Sequence, residues 1–70
     1  MTLALMADIR AAVQSARART GDATIGVETR AGQSRAVRVT YNARGASTVR
    51  PVSDWAPHAS TLNTLNTIGA

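Results

Sequence analysis

The sequence predicts an α+β domain of order α-β-β-β-α: a three-stranded antiparallel meander with two helices packed on one face. Three observations carry this reading. An apolar stripe of helical period runs through residues 3–19, two-residue alternation marks residues 23–30 and 35–42 with a third strand after the following turn, and a second helical stripe follows Ser53. Seventy residues leave room for one core, so residues 1–70 are expected to form a single small domain.

The first helix is expected over residues 3–19. At 100° per residue, Leu5, Met6, Ile9, Ala12, Val13 and Ala16 fall within a sector of about 120°. Arg17 and Arg19 occupy the last turn, where the helix dipole favours positive charge, and Gly21 is a natural stop. Residues 23–30 then alternate, with Ala23, Ile25, Val27 and Thr29 on one side and Thr24, Gly26, Glu28 and Arg30 on the other. Residues 35–42 do the same, with Val37, Val39 and Tyr41 on the apolar side. A three-residue Gly32-Gln33-Ser34 loop keeps like faces together, pairing Val27 with Val39 and Glu28 with Arg38.

Asn42-Ala43-Arg44-Gly45 has the pattern of a type I turn closed by a left-handed glycine. It leads to a third strand over residues 46–52, with Val39 facing Val49, Thr40 facing Thr48 and Arg38 facing Arg50. Pro51 cannot donate to a ladder, which makes this an edge strand. Ser53 or Asp54 is expected to cap a second helix in which Trp55, Ala59, Leu62, Leu65 and Ile68 share the buried face. Trp55 and Tyr41 are both assigned to the core.

That core is thin. Alanine supplies 14 of the 31 apolar residues, Leu, Ile and Val together number 13, and there is no Phe. Stability supplied by a partner or by self-association is therefore expected. The net charge of +4 comes from eight arginines without a single lysine. Arginine, alanine and glycine share GC-rich codons, so the excess alone is weak evidence; the planar donor fork nevertheless suits phosphate and carboxylate groups.

Catalysis is not expected. The acids Asp8, Asp22, Glu28 and Asp54 are scattered, and His58 is the sole histidine, with Asp54 one helical turn before it as a capping contact. One histidine without cysteine does not build a metal site, and no glycine-rich phosphate loop is present, so no cofactor is expected. The N-terminal apolar run is short and broken by Asp8 and Arg10, and no stretch reaches the ~20 apolar residues of a membrane span. The expectation is a soluble protein, intracellular or virion-associated, with no membrane partner.

The candidate binding surface is the polar side of the meander, the face away from the helices, where the expected register places Glu28, Arg38 and Arg50 side by side, with Arg30 and Arg44 near opposite ends. Arg10, Gln14 and Arg17 form a secondary patch along the first helix. The leading expectation is a protein–protein interaction module, either an assembly component or a small inhibitor, acting on a protein partner or by self-association. That scale is shared by phage-type accessory proteins such as head–tail joining proteins and anti-defence inhibitors. The alternative is a domain that binds nucleic acid without reading sequence, using the arginine-bearing sheet face. The α-β-β-β-α order resembles that of the double-stranded-RNA-binding domain. That family places a lysine cluster at the opening of its second helix, where this chain has Asp54, Trp55, Ala56, Pro57 and His58.

Overall fold

A computed structural model describes residues 3–70. Helix α1 spans Leu3–Thr20, strands β1 Ile25–Arg30, β2 Gln33–Tyr41 and β3 Ser47–Pro51 follow, and a two-residue strand β4, Ala56–Pro57, leads into helix α2, His58–Ile68. The α+β class, the order of the main elements and the antiparallel β1-β2-β3 meander are as expected from the sequence. The addition is β4, which pairs with the first residues of β2 on the side where β3 pairs further along. Ser53 closes the gap between the two: its Oγ accepts from the Ala36 N–H at 3.0 Å, and the Val52 and Ser53 N–H groups both donate to the Ala36 carbonyl.

Helix α1 buries Ile9, Ala12, Val13 and Ala16, as its periodicity requires, with Met6 packed at the margin. Its C-terminus is held by three contacts. Gly21, in the left-handed region at φ +71°, donates back to the Arg17 carbonyl. Arg17 Nε donates to the Ile25 carbonyl at 2.7 Å, and Arg19 Nη1 to the Gly69 carbonyl at 2.9 Å. The last-turn arginines thus tie α1 to β1 and to the end of α2. Gly69 is buried there against α1, and a Cβ on it would lie 3.2 Å from the Ala16 Cα, so the two helices meet backbone to backbone.

The β1–β2 register departs from expectation. The connection is a two-residue Ala31–Gly32 turn with Gly32 at φ +78°, and it pairs Val27 with Ala36 and Glu28 with Arg35. The three-residue loop that would pair Val27 with Val39 and Glu28 with Arg38 does not form. In consequence β2 turns its small residues to the helices: Ser34 and Ala36 are fully buried, and Ala36 joins Ile25, Ile9, Ala12, Val13, Ala16 and Leu65 in one core cluster. Val37 and Val39 point the other way, because a Cβ on Gly26 would meet both their Cγ2 atoms at 3.7 and 3.8 Å. The helices therefore lie on the face opposite the Val37–Val39–Tyr41 row. Alanine-rich α1 can come close to a sheet only where that sheet is also small, and Ser34 and Ala36 supply the place.

Helix α2 begins later than expected. Neither Ser53 nor Asp54 caps it; Pro57 stands at the N-cap with φ −54° and ψ 148° and forms no side-chain cap. A residue before proline is disfavoured in helical conformation, so Ala56 stays extended and pairs with Ser34. Trp55 is accordingly outside the helix, and Ala59 is exposed. The buried face is His58, Thr61 and Leu65, with Leu62 and Ile68 at its flank. His58 makes no capping contact with Asp54. Its Nδ1 lies 3.0 Å from Ser34 Oγ, while Thr61 Oγ1 donates to the Ser34 carbonyl at 2.9 Å. Among the described residues every buried side-chain polar atom is bonded.

Two stability outcomes follow from this packing. Leu65→Ala, which opens a cavity between the helices and Ala36, is expected to cost about 3 kcal/mol in urea unfolding with an unchanged slope. Ser34→Ala, which leaves the His58 ring nitrogen without its hydroxyl partner, is expected to cost about 1–3 kcal/mol in the same measurement.

Candidate interaction surfaces on the projecting ribbon

Helix α1 lies over β1 and α2 over β2 and β4, and neither helix reaches β3. Among the described elements β2 alone touches β3, so the far end of β2 and all of β3 project as a two-stranded ribbon. Every residue from 40 to 52 is exposed. At the tip, Asn42 Oδ1 accepts from the Arg44 and Ala46 N–H groups at 2.9 and 3.1 Å, and the Gly45 N–H donates to the Asn42 carbonyl at 3.0 Å. With Gly45 at φ +81°, this is the three-residue turn that the sequence implies. The β2–β3 register is also as expected: Val39 pairs with Val49, Thr40 with Thr48 and Arg38 with Arg50.

Alternation gives the ribbon two different faces. One carries Val39, Tyr41 and Val49; Tyr41 is 71% exposed and Val49 40%. Tyr41, assigned to the core by its place in the alternation, is thus a surface residue, because the core lies on the other side of β2. The second face carries Arg38 opposite Arg50 and Thr40 opposite Thr48, and with Pro51 and Val52 these line an open groove of about 640 Å³. Expected away from the helices, this row instead lies on the helix side of the sheet, beyond the part they cover, because Arg38 pairs with the core residue Ile25 and shares the face of Ala36.

The structure separates the remaining candidate residues. Glu28 leaves the row with Arg38 and Arg50 and pairs across the strands with Arg35, whose Nη2 lies 2.7 Å from Glu28 Oε1. Arg30 sits on that same outer face, where its guanidinium and that of Arg35 lie over the Trp55 ring at 4.2 and 4.5 Å. Each such contact contributes about 0.5–1 kcal/mol at a partly exposed site. Trp55 is therefore a half-buried staple for the β1–β2 hairpin instead of a residue of the helical core. Sequence reasoning passed over Arg35; its position opposite Glu28 depends on the shorter turn. Arg44 stands at the ribbon tip, at the other end of β2 from Arg30, and its guanidinium makes no bond among the described residues.

Arg10, Gln14 and Arg17 do come together. With Val13, Gly26, Val27 and Val39 they line a second, shallower cleft of about 370 Å³ beside β1. Arg17 is already engaged by the Ile25 carbonyl, which leaves Arg10 as the cation of that patch without a bond among the described residues. Among the described residues no three His, Asp or Glu side chains gather as a metal ion would need, and no helix is long and apolar enough to cross a membrane.

Arg38 reaches Asp22, Nε to Oδ2, at 3.2 Å. Asp22 also accepts from the Thr24 hydroxyl and from the Thr24 N–H at 2.9 Å. The carboxyl is held below the usual aspartate range, first by the Thr24 hydroxyl, then by the Thr24 amide, with Arg38 adding to both.

No known protein family, curated protein or solved structure matches the chain.

The Asp22 contacts set a pH dependence. Its folded-state pKa is depressed, so the stabilisation is full above the unfolded value near 3.9 and disappears as pH falls through the folded value. The stability difference between the native chain and Asp22→Asn is expected to shrink on acidification through that window, as read by urea midpoints in an acid series.

Proposed function

We propose that the protein is a non-catalytic interaction module whose contact element is the β2–β3 ribbon, with the Val39–Tyr41–Val49 face seated on a protein partner or on a second copy of the chain. The observation that carries this is that β3 is supported along one edge only, with both of its faces in solvent. A two-stranded ribbon is marginal by itself in water. Here its apolar row lies outside the core, where it contributes little to folding. A partner that covers Tyr41 and Val49 removes that apolar surface from water and adds a second layer to the ribbon. The thin, alanine-rich core fits a protein whose working state is the complex. The corresponding role is an assembly or inhibitory subunit of the phage-type accessory kind, a reading supported by size, basicity and this exposed ribbon.

The test is a Tyr41→Ser/Val49→Thr variant. Both positions are exposed, so the variant is expected to unfold within about 1 kcal/mol of the native chain. Association should nevertheless fail. The native chain should gain mass with concentration in sedimentation, or retain a partner from its source lysate that the variant bait loses. A native chain that is monomeric at every concentration, with a captured set identical to the variant's, would remove the reading.

A further inference from the structure

The reverse face of the same ribbon carries a separate site. We propose that the groove formed by Arg38, Arg50, Thr40 and Thr48 binds the phosphodiester backbone of a nucleic acid, through its phosphate oxygens and without reading bases. The site does not depend on the protein contact assigned to the Val39–Tyr41–Val49 face, because cross-strand alternation puts the two sets of side chains on opposite sides.

Four features converge on a phosphate. First, Arg38 and Arg50 are directly opposed across the ladder, an arrangement that like charges resist unless an anion lies between them. Second, internal neutralisation stops halfway. Asp22 engages Arg38 only through Nε, the two terminal nitrogens of Arg38 make no bond among the described residues, and Arg50 has no partner there at all. Third, the next rung adds two hydroxyl donors, Thr40 and Thr48, to the two guanidinium forks, a donor set suited to tetrahedral oxyanions. Fourth, apart from the Asp22 carboxylate beside Arg38, the charge around the groove is positive. No Asp or Glu occurs between Glu28 and Asp54, and the ribbon itself carries Arg38, Arg44 and Arg50.

The form of the groove selects a chain over a small enclosed ligand. It is open to solvent, and Arg44 continues the positive charge to the ribbon tip. Arg44 lies in the turn, three strand steps or about 10 Å of ladder beyond the Arg38–Arg50 rung, so the positive charge extends past one phosphate. The residues that line the groove include no aromatic ring, so base stacking has no platform and the contact is confined to the backbone.

The experiment is a fluorescence-anisotropy titration of labelled single-stranded and duplex oligonucleotides, repeated over a salt series starting near about 50 mM. It is paired with an amide NMR titration against inorganic phosphate. Binding is expected to weaken linearly in log–log salt plots. Arg50→Ala should lower affinity about tenfold and reduce the salt slope by about one. The charge-neutral Thr48→Val should also weaken binding, whereas Arg44→Ala, which removes the same charge at the tip, should cost less than Arg50→Ala. The Tyr41→Ser/Val49→Thr variant should bind oligonucleotides as the native chain does, so a failure of the protein-contact reading leaves this one standing. Equal losses for Arg44→Ala and Arg50→Ala would reduce the effect to net charge and overturn the site. So would the absence of oligonucleotide binding at low salt. Amide shifts at Thr40 and Thr48 with inorganic phosphate alone, and none with oligonucleotides, would assign the groove to free phosphate and overturn the backbone assignment.

Discussion

The register of β2 against β1 is the constraint on which the rest of this molecule depends. A two-residue turn at Ala31–Gly32, possible because Gly32 takes a positive φ, places Ala36 opposite Val27 and sends Ser34 and Ala36 toward the helices. Side chains alternate strictly along a strand, so this choice sends Val37, Val39 and Tyr41 to the other side. The helices can then approach the sheet closely, because Ala12 and Ala16 meet Ala36 and Ile25 with little between them. The first turn of α2 reaches far enough for His58 and Thr61 to bond Ser34. A larger residue at position 36 would hold the helices away and break that polar contact as well.

Close packing over a small area explains why the ribbon projects. Two helices lying side by side over β1 and the first half of β2 exhaust the apolar surface that the chain can offer from its helices. Among the described residues none covers β3, and its five residues stand exposed on both faces. The outer face of the sheet is covered only near the β1–β2 hairpin, where Trp55 carries the Arg30 and Arg35 guanidinium groups and Arg35 pairs with Glu28. Val37 is buried on that face; Tyr41, four residues along the same strand, is not. The ribbon is rigidified by its tip, where Asn42 and Gly45 satisfy the turn, and by Ser53 at its root.

The eight arginines do different jobs. Arg17 and Arg19 bond carbonyls that join α1 to β1 and to α2. Arg30 and Arg35 hold Trp55, and Arg38 shares Asp22 with Thr24. The guanidinium groups of Arg50, Arg44 and Arg10 make no bond among the described residues. The unspent positive charge is thus concentrated on the ribbon and on one flank of α1, while the paired charge holds the frame. This partition, and not the total of +4, decides where positive charge faces solvent.

Local patterns determined a large part of the architecture. The helical stripe of α1, the Gly21 stop, the Asn42–Gly45 turn and the whole β2–β3 register were legible because each is fixed by residues close in sequence. The opposition of Arg38 and Arg50 follows from that turn, and it was legible too. The β1–β2 register was not, since Gly32 serves loops of two or three residues and only the depth of the helices over Ser34 and Ala36 selects between them. From that one choice came the positions of Glu28, Arg35, Trp55 and Tyr41, which alternation alone had placed differently. The late start of α2 had a local cause in Pro57, yet the extended Ala56 gains its purpose only by pairing with Ser34. Sequence spacing decided which side chains share a face; the packing of two alanine-lined helices decided which face is inside.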